Sequence, residues 1–148
     1  MADHWPVTAP IRILVLCTGN SCRSILAEAL LRDLGGGHVD VASAGSHPEG
    51  VVNPRSIAVL EEAGIPHAGL HSKSMAEFLD REFDHVLTVC DRAAEICPVF
   101  PGPAVRTHWS IPDPAAASGT ADEQLAVYRA TLAELRGRIL TFLATLDR

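Results

Sequence analysis

Two hydrophobic periodicities alternate along the chain. Residues Ile11 to Leu16 (IRILVL) form an almost continuous apolar run, the pattern of a parallel strand covered on both faces. After Arg23 the apolar positions shift to helical spacing through Ile25, Leu26, Ala29, Leu30 and Leu34, and Gly35-Gly36-Gly37 ends that helix. Val39 to Ala44 reads as a second strand. Asn53-Pro54 opens a helix running to about Gly64, with Asn as cap and Pro in the first turn. Ser74-Met-Ala-Glu77 fits a capping box at the start of another short helix. His85 to Val89 (HVLTV) is a third strand and Ala104 to Thr107 a fourth, joined to its neighbours by proline-rich loops between Pro98 and Pro114. A second capping box, Thr120-Ala-Asp-Glu123, opens the longest helix, whose apolar stripe is Leu125, Tyr128, Leu132, Leu135, Ile139, Phe142 and Leu146. Strand alternating with helix predicts an α/β fold: a single-domain, three-layer sandwich with a four-stranded parallel sheet and helices on both faces. Residues 11–148 are read as that domain and residues 1–10 as a flexible N-terminal extension.

Composition narrows the function classes. At 148 residues and 47% hydrophobic content the chain can bury one real core. Its apolar runs are far shorter than a membrane span, and MADHWPVTAP lacks a basic region followed by an apolar segment, so neither anchoring nor secretion is expected and the location is read as cytoplasmic. A net charge of −6 without any basic block argues against a nucleic-acid partner. A monomer is expected. Four cysteines in a reducing compartment point to catalytic, redox or metal use rather than to structural bridges.

The chemistry concentrates where strand one turns into helix one, the place where a parallel sheet of this kind holds its ligand. That turn reads Leu16-Cys-Thr-Gly-Asn-Ser-Cys-Arg-Ser24. Five residues between Cys17 and Arg23 suit a loop that wraps a tetrahedral oxyanion with inward backbone N–H groups and the positive end of the following helix. The cup is assigned to Thr18, Gly19, Asn20, Ser21, Cys22, Arg23 and Ser24. Gly19 is expected to take backbone angles closed to other residues, and Asn20 to tolerate the left-handed region. Arg23 offers a planar fork to two oxygens of the anion. Cys17, at the base of a positive cup, is expected to be acidified and nucleophilic, with Ser24 donating to its thiolate. The Cys22 side chain is read as a packing group facing away from the anion. A nucleotide P-loop is excluded because the Gly-Lys-Ser/Thr ending is missing.

CTGNSCRS, with Ser43-Ala-Gly45 and Asp113-Pro114, resembles the low-molecular-weight protein tyrosine phosphatase fold and the arsenate reductases that share it, over essentially the whole chain from Ile11. Val89-Cys-Asp-Arg-Ala-Ala-Glu-Ile-Cys-Pro98 separates the two branches. A phosphatase needs one nucleophile and a general acid, whereas Cys90 and Cys97 add a dithiol on the same side of the sheet as Cys17. Their spacing resembles the redox pair of thioredoxin-coupled arsenate reductases, and Thr107 to Pro114 resembles the segment that carries that branch's acidic residue, here Asp113. Phosphatases of the fold carry tyrosines after that aspartate; here Ala115-Ala-Ala117 follow, and the single tyrosine is Tyr128. The spacing of the cysteines matches no common zinc pattern, and the resemblance implies neither a metal nor an organic cofactor. His108 and Trp109 are read as packing beneath the Asp113 loop, and His47, His67 and His71 as ordinary loop residues.

The resemblance implies a cysteine relay. Arsenate settles in the cup, with phosphate or sulfate as its analogues; Cys17 attacks arsenic, Asp113 protonates the departing oxygen, Cys90 attacks the Cys17 sulfur, and Cys97 finally takes Cys90 into a disulfide that thioredoxin or a similar thiol reductant reopens. If Asp91 to Ile96 is helical in the reduced protein, Cys90 and Cys97 start about 10 Å apart, and oxidation must unwind the segment. Some members of the branch bind potassium through positions matching Asn20, Glu28 and Ser43 plus an aspartate. Here that last place is Ser74, and Lys73 adds a competing charge. Two alternatives stand beside arsenate reduction: a phosphatase whose extra thiols protect Cys17, and a non-catalytic oxyanion or redox sensor.

Overall fold

β1 (Ile11–Cys17) lies in the middle of a sheet whose order is β2-β1-β3-β4, with β2 at Val39–Gly45, β3 at His85–Thr88 and β4 at Val105–His108. All three pairings are parallel. A computed structural model supplies this description, which covers residues 9–91 and 95–146. Residues 1–8 of the N-terminal extension and residues 92–94 of the expected Asp91–Ile96 helix lie outside the described residues.

The continuous apolar run of β1 is explained by its two covers. Ile13 and Val15 point into a cluster built with α1 (Arg23–Gly35), α2 (Pro54–Glu62) and α3 (Ala121–Leu146), including Leu26, Leu30, Leu60, Leu135 and Ile139. Leu14 and Leu16 point the other way, onto Phe78, Phe83, Val86 and Phe100. Alternate residues of one strand therefore enter two separate cores, and each fully buried Leu or Ile contributes about 1.5–3 kcal/mol of transfer free energy. The second cover is thin: a single 3-10 turn, Met75–Phe78, and loops that carry Phe83 and Phe100, with Phe78 edge to face on Phe83 and Phe83 on Phe100. The three-layer α/β architecture holds, with its α-helical weight on one side.

Local signals act as expected at most boundaries. Asn53 caps α2 by accepting from the Arg55 N–H at 2.9 Å, and Gly36, at φ 56, closes α1. At the start of α3 the box is complete: the Glu123 N–H donates to Thr120 Oγ1 at 3.1 Å, and the Thr120 N–H donates to Glu123 Oε1 at 2.8 Å. Ser74 also caps, accepting from the Ala76 N–H at 3.1 Å, but only a 3-10 turn follows. β4 begins one residue later than its pattern suggests, at Val105, and β3 ends at Thr88.

Candidate active site

β2 and β3 flank β1 on opposite sides, so their connections leave the sheet in opposite directions and open a crevice beyond the end of β1. Residues 17–23 fill that crevice and line a cavity of about 150 Å3 together with His47, Glu49, Glu95 and Asp113. Cys17 is buried at its floor, where its Sγ accepts from the Asn20 N–H at 3.3 Å and stands 2.9 Å from Ser24 Oγ. The expected Ser24 contact is therefore present, and the N-terminus of α1 begins one residue before Ser24 with its positive dipole end toward the loop.

The loop is held by side chains behind it. Asn20 is the described non-glycine residue with positive φ, at 47°, so the left-handed position falls on Asn20; Gly19 is not in that region. A Cβ at Gly19 would meet only the Glu49 side chain, 2.8 Å from its carboxylate oxygen, which is exposed and can swing aside. Asn20 Nδ2 donates to Ser24 Oγ at 2.7 Å and Ser43 Oγ at 3.0 Å, its Oδ1 accepts from the Lys73 N–H at 2.9 Å, and Ser43 in turn donates to Glu28. α1, β2 and the loop at Lys73 thus fix one residue in the left-handed region. Gly45 completes the support. A Cβ there would lie 2.5 Å from the Thr18 carbonyl oxygen and 3.0 Å from the Asn20 nitrogen, both backbone atoms that cannot rotate aside. Gly45→Ala is expected to displace the loop and lower turnover by about 10²-fold or more while the far-ultraviolet circular dichroism stays near wild type. Wild-type kcat/KM in that variant would show that the close approach has no function.

Arg23 is 4% exposed and turned inward. Its guanidinium donates to the Ile111 carbonyl at 3.0 Å and takes the Glu95 carboxylate with both Nη1 and Nη2, while Asp113 lies 3.9 Å away. The fork expected for an oxyanion is present, and in this structure its partner is the chain's own carboxylate. Glu95 also accepts from Thr18 Oγ1 at 2.7 Å and from the Asp91 N–H at 2.9 Å. Burial works to raise the Glu95 carboxyl, but the bonds from Arg23, Asp91 and Thr18 outweigh it and pull the pKa from 4.5 down to about 2. Glu95 therefore stays ionised at any physiological pH.

Cys90 and Cys97 are joined by a disulfide, with Cα atoms 5.8 Å apart. Cys90 follows β3, and the Val89 N–H donates to the Leu16 carbonyl at 2.9 Å, so the disulfide begins beside the strand that carries Cys17. The His108 ring comes close as well: one ring nitrogen and the two sulfurs lie within 4.8 Å of one another. This corrects the placement of His108 beneath the Asp113 loop. Its Nδ1 faces Thr88 Oγ1 at 2.7 Å at the sheet edge, and it is Trp109 that packs inward, edge to face on Phe142. While the disulfide stands, neither sulfur is a thiolate for a metal.

Asp113 does two things at once. It caps the turn Pro114–Ala116, accepting from the Ala115 N–H at 2.9 Å, and it lines the cavity on the Arg23 side. Cys22 faces away as expected, toward Tyr128 Oη at 3.5 Å, and burial raises its thiol pKa. His47, read as an ordinary loop residue, lines the cavity mouth; His67 stands 3.3 Å from Glu61 of α2, and His71 Nδ1 faces the Gly69 carbonyl at 3.0 Å. Lys73 settles the cation question chemically. Its ammonium is 8% exposed, 3.9 Å from Glu28 Oε1 and bonded to the His71 carbonyl at 2.8 Å, with burial lowering its pKa against the pull of Glu28. A second cation beside Asn20, Glu28 and Ser43 would face this charge and Arg32, which also pairs with Glu28, so the residues present do not fit potassium.

A parallel sheet with a cysteine-and-arginine loop after its first strand is the arrangement of the phosphatase-like class, and the model of the low molecular weight phosphotyrosine protein phosphatase family matches residues 12–148. The chain belongs to that family. It is 41% identical over 133 residues to an arsenate reductase of Halalkalibacterium halodurans, covering 90% of this chain and 95% of that one. The structure of an arsenate reductase from Archaeoglobus fulgidus matches with a TM-score of 0.75 at 28% identity, over 89% of this chain and 98% of the other. A thioredoxin-dependent arsenate reductase of Corynebacterium glutamicum matches with a TM-score of 0.63 at 26% identity, over 95% of this chain and 67% of the other. Among the described residues no helix is long and apolar enough to cross a membrane.

Proposed function

We propose that the protein is an arsenate reductase that passes two electrons through Cys17, Cys90 and Cys97. The observation that carries this reading is a disulfide-forming pair at the end of β3, next to the strand that ends in Cys17. A phosphatase cycle has no use for it.

Arsenate takes the cup, with two oxygens on the Arg23 fork. The Cys17 thiolate attacks arsenic; the departing oxygen takes a proton from Asp113 and leaves as water. Cys90 then attacks the Cys17 sulfur, and the electron pair of the sulfur–arsenic bond passes to arsenic, which leaves as arsenite. Cys97 attacks Cys90, freeing the Cys17 thiolate and forming the Cys90–Cys97 disulfide. Two thiols of an external dithiol protein, with thioredoxin the one that fits this reading, reopen it. Cys90 is 0% exposed, whereas Cys97 is half-buried between Ile96 at 92% and Val99 at 77% exposure, so the incoming thiolate attacks the Cys97 sulfur. Arsenate-dependent oxidation of NADPH, coupled through thioredoxin and its reductase, tests the reading; rapid hydrolysis of an aryl phosphate without that coupled activity would overturn it in favour of the phosphatase.

Arg23→Lys keeps the charge but loses the fork, and the Ile111 carbonyl bond ties the native guanidinium to one orientation. The expected result is a fall of about 10²–10³ in kcat/KM with an unchanged circular dichroism spectrum. Asp113→Asn is expected to slow formation of the Cys17 adduct about 10²-fold, measured in a single turnover, while leaving disulfide exchange between Cys90 and Cys97 nearly unchanged. Equal slowing of both steps would remove the acid role.

A further inference from the structure

The Glu95 carboxylate sits where the reading above places arsenate. It engages both terminal nitrogens of Arg23, accepts from Thr18 Oγ1, and lines the same cavity as Cys17 and Asp113. Glu95 belongs to the redox loop, two residues before Cys97 and inside the ring closed by the disulfide. The loop also holds it from its own side, since the Glu95 N–H donates to the Asp91 carbonyl at 2.9 Å and the Asp91 N–H donates to Glu95 Oε2 at 2.9 Å. A carboxylate is planar and singly charged, and it meets the same fork that accepts two oxygens of a tetrahedral anion.

We propose that Glu95 is an internal competitor of the oxyanion: in the Cys90–Cys97 disulfide form its carboxylate occupies Arg23 and Thr18, and reduction of the disulfide withdraws it and returns the cup to substrate. The disulfide holds the ends of an eight-residue segment 5.8 Å apart between Cα atoms, against about 10 Å for the same segment as a continuous helix. Tethered by so short a ring, the carboxylate acts at an effective concentration of the order of millimolar or above. Free phosphate or arsenate must displace it in the oxidised protein. Once a dithiol has reduced the pair, the ring is open and nothing covalent holds Glu95 over Arg23; the dianion, carrying more charge and a third oxygen, then takes the fork. Arsenate is in this way kept from a protein that lacks the thiols to reduce it. The residue is a positioning and gating group, since it leaves the cup before any bond to arsenic forms. This inference rests on the reading of residues 17–24 as an oxyanion cup.

Inorganic phosphate tests it, because phosphate binds without being reduced. Isothermal titration calorimetry is performed on the full chain in two states, with the Cys90–Cys97 disulfide intact and fully reduced, each verified by mass on thiol-blocked samples. The wild-type protein is expected to bind phosphate at least about tenfold more weakly when oxidised than when reduced. Glu95→Gln keeps the shape and removes the charge; it should bring the oxidised form to within about threefold of the reduced form of the same variant. Glu95→Ala should do the same, which separates loss of the carboxylate from an altered loop. Equal phosphate affinity of the two wild-type states, or an oxidised Glu95→Gln and Glu95→Ala as weak as oxidised wild type, would overturn the inference while leaving the cup intact. Failure of the reduced wild-type protein to bind phosphate at all would overturn both the inference and the cup.

Discussion

Cys17→Ser will lower arsenate turnover by at least about four orders of magnitude and abolish any side activity on aryl phosphates, without loosening the fold. The sulfur is buried at the floor of the cavity, held by the Asn20 N–H and Ser24 Oγ, and no other free cysteine described lies in position to replace it: Cys22 is turned to Tyr128, with burial favouring its neutral thiol. Serine fits the same volume and can still hydrogen-bond to both neighbours, so stability should change little. What is lost is the thiolate. An alcohol stays protonated at neutral pH even in a positive cup, and it cannot form the sulfur–sulfur bond that carries the electrons away. The coupled NADPH assay and an aryl phosphate assay read the two activities, and appreciable turnover in either would remove Cys17 as nucleophile.

Cys97→Ser will release about one arsenite per chain and then stop, so that its steady-state rate with thioredoxin falls to background. In the relay, Cys97 is the group that moves the disulfide away from Cys17. The native pair shows that the chain accommodates that bond, with Cα atoms 5.8 Å apart, well inside the limit of about 7 Å. Without it, Cys90, which is fully buried, keeps its disulfide to Cys17 where an external thiol has no approach. Mass spectrometry of thiol-blocked, digested protein should find residues 17 and 90 joined. Sustained turnover with thioredoxin alone would take Cys97 out of the relay.

Much of this molecule could be read along the chain because the physics concerned is local. A parallel strand covered on both faces must be apolar along nearly its whole length, and Ile11 to Leu16 is, with Arg12 near its open end the one exception. A helix N-terminus must find partners for its first N–H groups, and Asn53 and Thr120 supply them from the neighbouring residues. The anion loop belongs to the same category: Cys17, Asn20, Arg23 and Ser24 lie within eight consecutive residues, so the loop is a local object whose residue types declare its purpose. At Ser74 the cap forms as its pattern predicts, but the element that follows is one 3-10 turn whose Phe78 is buried in the thin second core.

The tertiary structure decided everything that depends on residues far apart in the chain coming together. By itself the sequence determined the strand and helix order, the candidate nucleophile with its arginine, and the presence of a second pair of thiols. It carried no sign that Glu95, 72 positions from Arg23, would meet its guanidinium. Nor could it say that a Cβ at Gly45 would meet the Thr18 carbonyl oxygen, or that His108 would come beside the redox pair. A hydrogen bond or ion pair between distant residues leaves no periodicity and no spacing, since its two partners are brought together by strand order and loop course, and those are set by the burial of whole faces rather than by either residue.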